Sequence, residues 1–213
     1  MSDVLVQISN AVIEGRLKDI PDLTNTALSS GLTAKEILDK GLMPGMDVVG
    51  VEFKKGKKFV PEVLLSARTM QTSLGMLKPL LAKTGEKMAG KVVIGTVKGD
   101  LHDIGKSLVG MLLEGSGFEV VDLGKDVPPE TFVDVVKKEK PNIVAMSALL
   151  TTTMRSMGHT ITVLKEAGLR ETVKIMIGGA PVTVDFAKQI GADGYAANAP
   201  AAVDLAKKFI SSN

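Results

Sequence analysis

The sequence predicts a four-helix bundle followed by a five-stranded, doubly wound parallel α/β domain. Three observations carry that prediction. Apolar residues recur at helical spacing through the first third of the chain, β-branched runs alternate with helical patterns through the rest, and a Gly-bounded polar stretch separates the two. The stretch that organises the second part is Val92-Val93-Ile94-Gly95-Thr96-Val97, then Lys98-Gly99-Asp100-Leu101-His102-Asp103, then Ile104-Gly105-Lys106-Ser107. It reads as a buried strand, a polar loop with one of the chain's two histidines, and a helix over Ile104, Leu108, Met111 and Leu112.

In the first part, Leu5, Ile8 and Val12 mark one apolar face, which Gly15 ends. Asp19 can cap a second helix with Pro21 in its first turn; Leu23, Ala27 and Leu28 face inward and Gly31 stops it. Thr33-Ala34-Lys35-Glu36 has the residues and spacing of a capping box. The third helix carries Ile37, Leu38, Leu42, Met46 and Val49, with a bend expected at Gly41, Pro44 and Gly45. A basic turn, Lys54 to Lys58, leads to the fourth helix. There Val63, Ala67, Met70, Leu74, Leu77 and Leu81 alternate at spacings of four and three. Short connections between four such segments imply a bundle.

Thr84 to Gly90 reads as the linker, so the helical domain is placed at residues 1–86 and the α/β domain at 90–213. Strands are expected at Val92–Val97, Glu119–Leu123, Asn142–Ser147, Val173–Gly178 and Asp193–Ala196. A last helix packs Val203, Leu205, Ala206, Phe209 and Ile210. If the strand order is 2-1-3-4-5, the winding reverses between strands one and three, and ligands bind at such a reversal. The loops Gly99–Gly105 and Ser147–Thr153 then face each other, with Gly178-Gly179-Ala180 on the same rim.

Composition narrows the function. Lys and Arg number 26 against 24 acids, a net charge of +2, too even for a nucleic-acid groove or a membrane-surface patch. Six Phe, one Tyr and no Trp offer little for base stacking. Without Cys there are no disulfides, thiolate zinc sites, iron–sulfur clusters or cysteine nucleophile. The opening residues lack the basic and apolar regions of a signal peptide and no apolar run reaches membrane-spanning length, so the expectation is a soluble cytoplasmic protein.

Gly105-Lys106-Ser107 resembles the end of a phosphate-binding loop, but five residues rather than four separate Gly99 from Gly105, and Asp100 and Asp103 would repel a triphosphate. Receiver chemistry needs an Asp where Ser147 stands, and no aromatic residue in either loop could stack on a flavin. His102 as a metal ligand competes with a loop histidine that bonds only its neighbours. Asp100, two residues away, can accept the other imidazole N–H and make the ring a better ligand, and Ser147 can extend that chain. The lack of a second ligand nearby points to a cofactor that brings its own equatorial ligands. His159 is expected on a helix, as a surface or packing residue.

Asp100-x-His102-x-x-Gly105, then Ser147-x-Leu149, then Gly178-Gly179 resembles the cobalamin-binding signature of corrinoid proteins and of methionine synthase. Gly45-Met46, Val49-Gly50, Phe53, Phe59-Val60-Pro61-Glu62 and Ser66-Ala67-Arg68 look like the helical cap domain of that family, so the resemblance spans nearly the whole chain. It implies cobalamin or a related corrinoid, methylcobalamin in one state, with its lower base displaced and His102 on the cobalt. Asp100 and Ser147 would tune the proton balance as His102 binds and lets go. Asp103, Ile104, Gly105 and Thr151 would border the cofactor. The nucleotide tail would run beside Ser147, Leu149, Gly178 and Gly179. Phe53 and Val60, where a leucine is usual at the second position, would sit over the upper face, although both also suit ordinary bundle core. The linker is a candidate hinge for moving that cap.

The implied role is that of a methyl-carrying corrinoid subunit, not catalytic alone, in methylamine, methanol, glycine betaine or methoxyaromatic metabolism. Its partners would be a substrate-specific corrinoid methyltransferase, a second methyltransferase with a pterin or thiol acceptor, and a reductive activase. A cobalamin-dependent sensor and the small subunit of a cobalamin-dependent mutase are the alternatives. Against the first stand the absence of a helix-turn-helix before the bundle and the near-neutral charge; against the second stands the helical part.

Overall fold

A computed structural model of the chain describes residues 3–84 and 88–211. The chain divides into two compact units, residues 1–88 with 114–117 and residues 89–113 with 118–213. The expected linker falls partly on residues 85–87, outside the described residues, and the hinge assigned to it shares that position.

The helical unit contains α1 (Asp3–Glu14), α2 (Ile20–Ser29), α3 (Ala34–Ile37), α4 (Met43–Lys54) and α5 (Val60–Thr84). The expected third helix is the run α3 to α4, joined by a π-helical stretch at Leu38–Leu42. The disturbance therefore precedes Pro44, and its cause is close packing. A Cβ on Gly41 would lie 3.1 Å from Ile8, and one on Gly45 would lie 2.8 Å from the Ser9 carbonyl oxygen. Glycine at both positions lets α1 cross at backbone contact. Thr33 and Glu36 form the expected capping box, with Thr33 Oγ1 accepting from Glu36 N at 3.1 Å and Glu36 accepting from Thr33 N at 3.1 Å.

Two details depart from the expectation. Asp19 stands at the start of α2 but makes no capping bond; its carboxylate takes the Arg16 guanidinium at 3.2 Å. Leu23 and Leu28 are only half-buried, whereas Thr24 is fully buried, donating to the Ile20 carbonyl at 2.7 Å and lying 2.7 Å from Ser73 Oγ. A buried hydroxyl is tolerated here because both of its bonds are made. Val63, Ala67, Met70, Leu74, Leu77 and Leu81 all face the core, as their spacing requires.

The α/β unit runs β1 (Lys91–Thr96), α6 (Ile104–Gly115), β2 (Glu119–Asp122), α7 (Pro129–Glu139), β3 (Ile143–Ser147), α8 (Thr151–Glu166), β4 (Lys174–Gly178), α9 (Val184–Ile190), β5 (Gly194–Ala196) and α10 (Ala199–Ser211). All strands pair in parallel, in the order β2-β1-β3-β4-β5. Alternate strand residues, Val93, Val144, Met146, Ile175 and Ile177, pack with Phe132, Val136, Met157, Ile161, Leu164 and Ala187 of α7, α8 and α9. The other set, Val92, Ile94, Ile143, Ala145 and Met176, is buried on the opposite face, where the right-handed crossover from β1 to β2 puts α6. In α10, Val203 and Ala206 are buried, while Leu205, Phe209 and Ile210 are half-buried. In α6, Leu108 and Leu112 turn inward but Ile104 is 75% exposed. It opens the helix beyond the sheet's end, so the sheet offers nothing to cover it.

Candidate functional site

The register sets Thr96 of β1 opposite Ser147 of β3, and Ser147 opposite Gly178 of β4. The three loops leaving those strands therefore start level on one rim, at the reversal of winding. Asp100 joins two of them. Its carboxylate is fully buried. One oxygen, Oδ1, accepts from His102 N at 3.0 Å and lies 2.7 Å from His102 Nδ1. The other, Oδ2, accepts from Leu149 N at 2.8 Å, Leu150 N at 3.3 Å and Thr153 Oγ1 at 2.7 Å. Thr96 Oγ1 completes the clamp by donating to the His102 carbonyl at 3.0 Å.

Burial alone would push the Asp100 carboxyl up. The bonds from Thr153, the backbone of His102 and Leu149 and the His102 ring outweigh it and hold the group well below the usual carboxylate range. The carboxylate is thus ionised and can only accept, which places a proton on His102 Nδ1. The lone pair of a neutral ring then resides on Nε2, and the His102 side chain is 51% exposed.

Expectation and structure differ over which hydroxyl supports Asp100. Ser147, half-buried at the end of β3, makes no hydrogen bond to Asp100; Thr153 does. Thr153 lies one turn into α8, on the inward face it shares with Met157, Thr160, Ile161 and Leu164. Helical period applied to the three consecutive threonines singles it out, whereas Thr151 and Thr152 are exposed. A hydrogen bond to a charged group contributes about 1.5–3 kcal/mol. Thr153→Val is expected to lose that much, Thr153→Ser far less, and Ser147→Ala almost none, as urea denaturation would measure.

Of the other expected site residues, Asp103 is half-buried, and Ile104, Gly105, Leu149 and Thr151 are exposed on the rim around His102. Gly178 and Gly179 stand where expected, but the close approach they permit is by the chain's own backbone. A Cβ on Gly179 would fall 1.8 Å from the Ala148 carbonyl oxygen, and one on Gly178 2.9 Å from that of Ala196. In the helical unit Phe53 is half-buried and Val60 is 37% exposed, so neither belongs to the buried core of the bundle. His159 is exposed on α8. Lys106 is buried against the carboxylate of Asp122 and is not presented to a phosphate. Among the described residues no three His, Asp or Glu side chains group as a metal site, and no helix is long and apolar enough to cross a membrane.

Comparison with known proteins gives this rim its context. A B12 binding domain family matches residues 90–204, and a second B12 binding domain family matches residues 4–78. The chain is 42% identical over 213 residues to dimethylamine corrinoid protein 3 of Methanosarcina acetivorans, covering 99% of this chain and 100% of that one. It is 43% identical to trimethylamine corrinoid protein 1 of the same organism, covering 92% of each. Among solved structures, it is similar to the methanol:cobalamin methyltransferase complex of Methanosarcina barkeri, with a TM-score of 0.89 and 34% identity, over 100% of this chain and 81% of that one. It also resembles a cobalamin-binding protein of Desulfitobacterium hafniense, with a TM-score of 0.78 and 35% identity, over 96% and 98%. The chain belongs to the B12-binding corrinoid proteins of methylamine and methanol methyltransferase systems, and its cofactor is a corrinoid.

Proposed function

We propose that this chain is a methyl carrier. It receives a methyl group on the cobalt of its corrinoid from a substrate-specific corrinoid methyltransferase and surrenders it to a second methyltransferase with a pterin or thiol acceptor. A reductive activase restores the cofactor when it oxidises, and the whole system works in the cytoplasm. The observation that carries the reading is the one ring nitrogen of His102 left free, Nε2, on a side chain held by a buried carboxylate at its other ring nitrogen. That donor set fits a corrinoid, which brings most of its metal's ligands with it and would take a single imidazole nitrogen from the protein.

The bound corrinoid supplies a metal that takes up and gives up a methyl group; the rest falls to the chain. Asp100, kept ionised by Thr153 and the backbone N–H groups of Leu149 and His102, fixes the orientation of the His102 ring through Nδ1. Asp103, Ile104, Gly105, Leu149 and Thr151 would border the bound corrinoid, and Ser147, Gly178 and Gly179 would lie along its nucleotide tail. Residues 90–213 form the corrinoid-binding domain. Residues 1–86 would form its cap, in which Phe53 and Val60 would screen the cofactor; their lack of burial in the bundle core supports that use. The likeness to di- and trimethylamine corrinoid proteins and to a methanol:cobalamin methyltransferase complex supports the choice of partner.

The test is His102→Ala. The variant is expected to retain some corrinoid binding at lower affinity. It should lose the histidine nitrogen splitting from the cobalt(II) EPR spectrum. An unchanged spectrum rejects His102 as the ligand.

A further inference from the structure

Lys106 has no part in the site described so far, yet its side chain is only 2% exposed. Lysine is almost never buried unless paired. Here the ammonium holds both carboxylate oxygens of Asp122, the last residue of β2. Asp122 Oδ1 also accepts from Gly124 N at 2.8 Å. The pair thus anchors the start of the loop from β2 to α7.

The same loop grips the His102 segment. The Gly124 carbonyl accepts from Thr96 N at 3.0 Å, and Val127 N donates to the Thr96 carbonyl at 2.9 Å. Between them, Asp126 N donates to the Asp100 carbonyl at 3.0 Å, and Asp126 Oδ1 accepts from Gly99 N at 2.7 Å. Asp126 does this at a φ of +54°, one of two non-glycine residues with positive φ among those described. Such a conformation is costly for any side chain, although Asp tolerates it better than most. Its side chain is exposed, so no burial offsets the strain. The compensation is the pair of bonds to Gly99 and Asp100, the residues that open the DxH segment.

We propose that the loop Asp122–Val127 is a positioning element for His102, anchored at one end by Lys106 and gripping Gly99 and Asp100 through Asp126 at the other. Lys106, Asp122 and Asp126 act through the His102 segment. The inference rests on the corrinoid reading only where cobalt is the reporter.

Asp126→Gly separates positioning from stability. Glycine accepts the positive φ without strain, so the melting temperature is expected to hold or rise. The corrinoid dissociation constant is expected to rise roughly tenfold, the lower end of what loss of a supporting contact costs a metal site. The nitrogen splitting in the cobalt(II) EPR spectrum should weaken with it. In the corrinoid-free protein the imidazole NMR spectrum contains only His102 and His159, and the His102 Nδ1–H signal should broaden while that of His159 stays. Lys106→Met is the second variant: it removes the ammonium, and because the Asp122 side chain is 42% exposed, the carboxylate left behind is hydrated rather than buried without a partner. It should reproduce the same losses.

Wild-type affinity, splitting and imidazole signal in both variants would overturn the proposal, as would losses that merely follow a lowered melting temperature. A wild-type protein that takes up corrinoid without nitrogen splitting would strike the corrinoid reading instead. The Nδ1–H signal of the corrinoid-free protein would still decide the role of the loop.

Discussion

Gly179→Ala is expected to destabilise the α/β unit by roughly 2–6 kcal/mol, a large share of the 5–15 kcal/mol that folded domains commonly have. Two costs combine. Gly179 has a φ of +128°, a region closed to side chains, and such strain costs about 1–3 kcal/mol. The added Cβ would also sit 1.8 Å from the Ala148 carbonyl oxygen, and forcing such contacts apart costs about 1–3 kcal/mol more. Relief means parting the β3 and β4 loops, where Ala148 N now donates to the Gly178 carbonyl at 3.2 Å. Gly105→Ala is the control: nothing lies within 4 Å of its Cβ and its φ is ordinary, so a helical alanine there should be neutral or slightly stabilising. Denaturant melts of both variants in the corrinoid-free protein measure the contrast. Equal stabilities would show that the rim yields easily.

The second large effect is at Asp100. A carboxylate accepts at both oxygens and here receives five hydrogen bonds, whereas an amide accepts at one and donates at the other. In Asp100→Asn the amide N–H groups must face either the Leu149, Leu150 and Thr153 donors or those of His102. A buried donor left without an acceptor costs about 1–3 kcal/mol, and the exposed neighbours admit water to some of them, so the total expected loss is about 2–4 kcal/mol. The pH dependence checks the cause. The folded-state pKa of Asp100 is depressed below an unfolded value of about 3.9. Its contribution is therefore fully present above that value and fades as pH falls through the range beneath it. The stability gap between wild type and Asp100→Asn should narrow as the pH falls below about 4. A gap independent of pH down to about pH 2 would mean that the charge of Asp100 contributes nothing.

These effects also mark what could be read in advance. The spacing of Val63 through Leu81 and the alternation of strands with helices are local, repeated signals, and each repeat reports the same buried face. The five strands and the face of α5 accordingly follow the sequence. The Asp100-x-His102 turn is legible for a similar reason. An aspartate two residues ahead bonds the backbone N–H and the ring of the histidine through a contact spanning three residues.

What lay beyond reach depends on contacts between distant segments. Nothing around Ser147 or Thr153 distinguishes their hydroxyls until β3 and α8 bring one of them to a carboxylate some fifty residues earlier. The glycine pair at 178 and 179 is compatible equally with a ligand and with a neighbouring strand end, and only the folded chain shows Ala148 and Ala196 in that space. Ile104 continues an apolar stripe that the helix carries past the end of the sheet. By itself the sequence determined the two-part architecture, the strand boundaries to within a residue or two, and the aspartate–histidine turn, because their causes are periodicity and short-range bonding. The tertiary structure alone decided which donors saturate Asp100, because a buried carboxylate takes its partners from whichever loops the sheet register sets beside it.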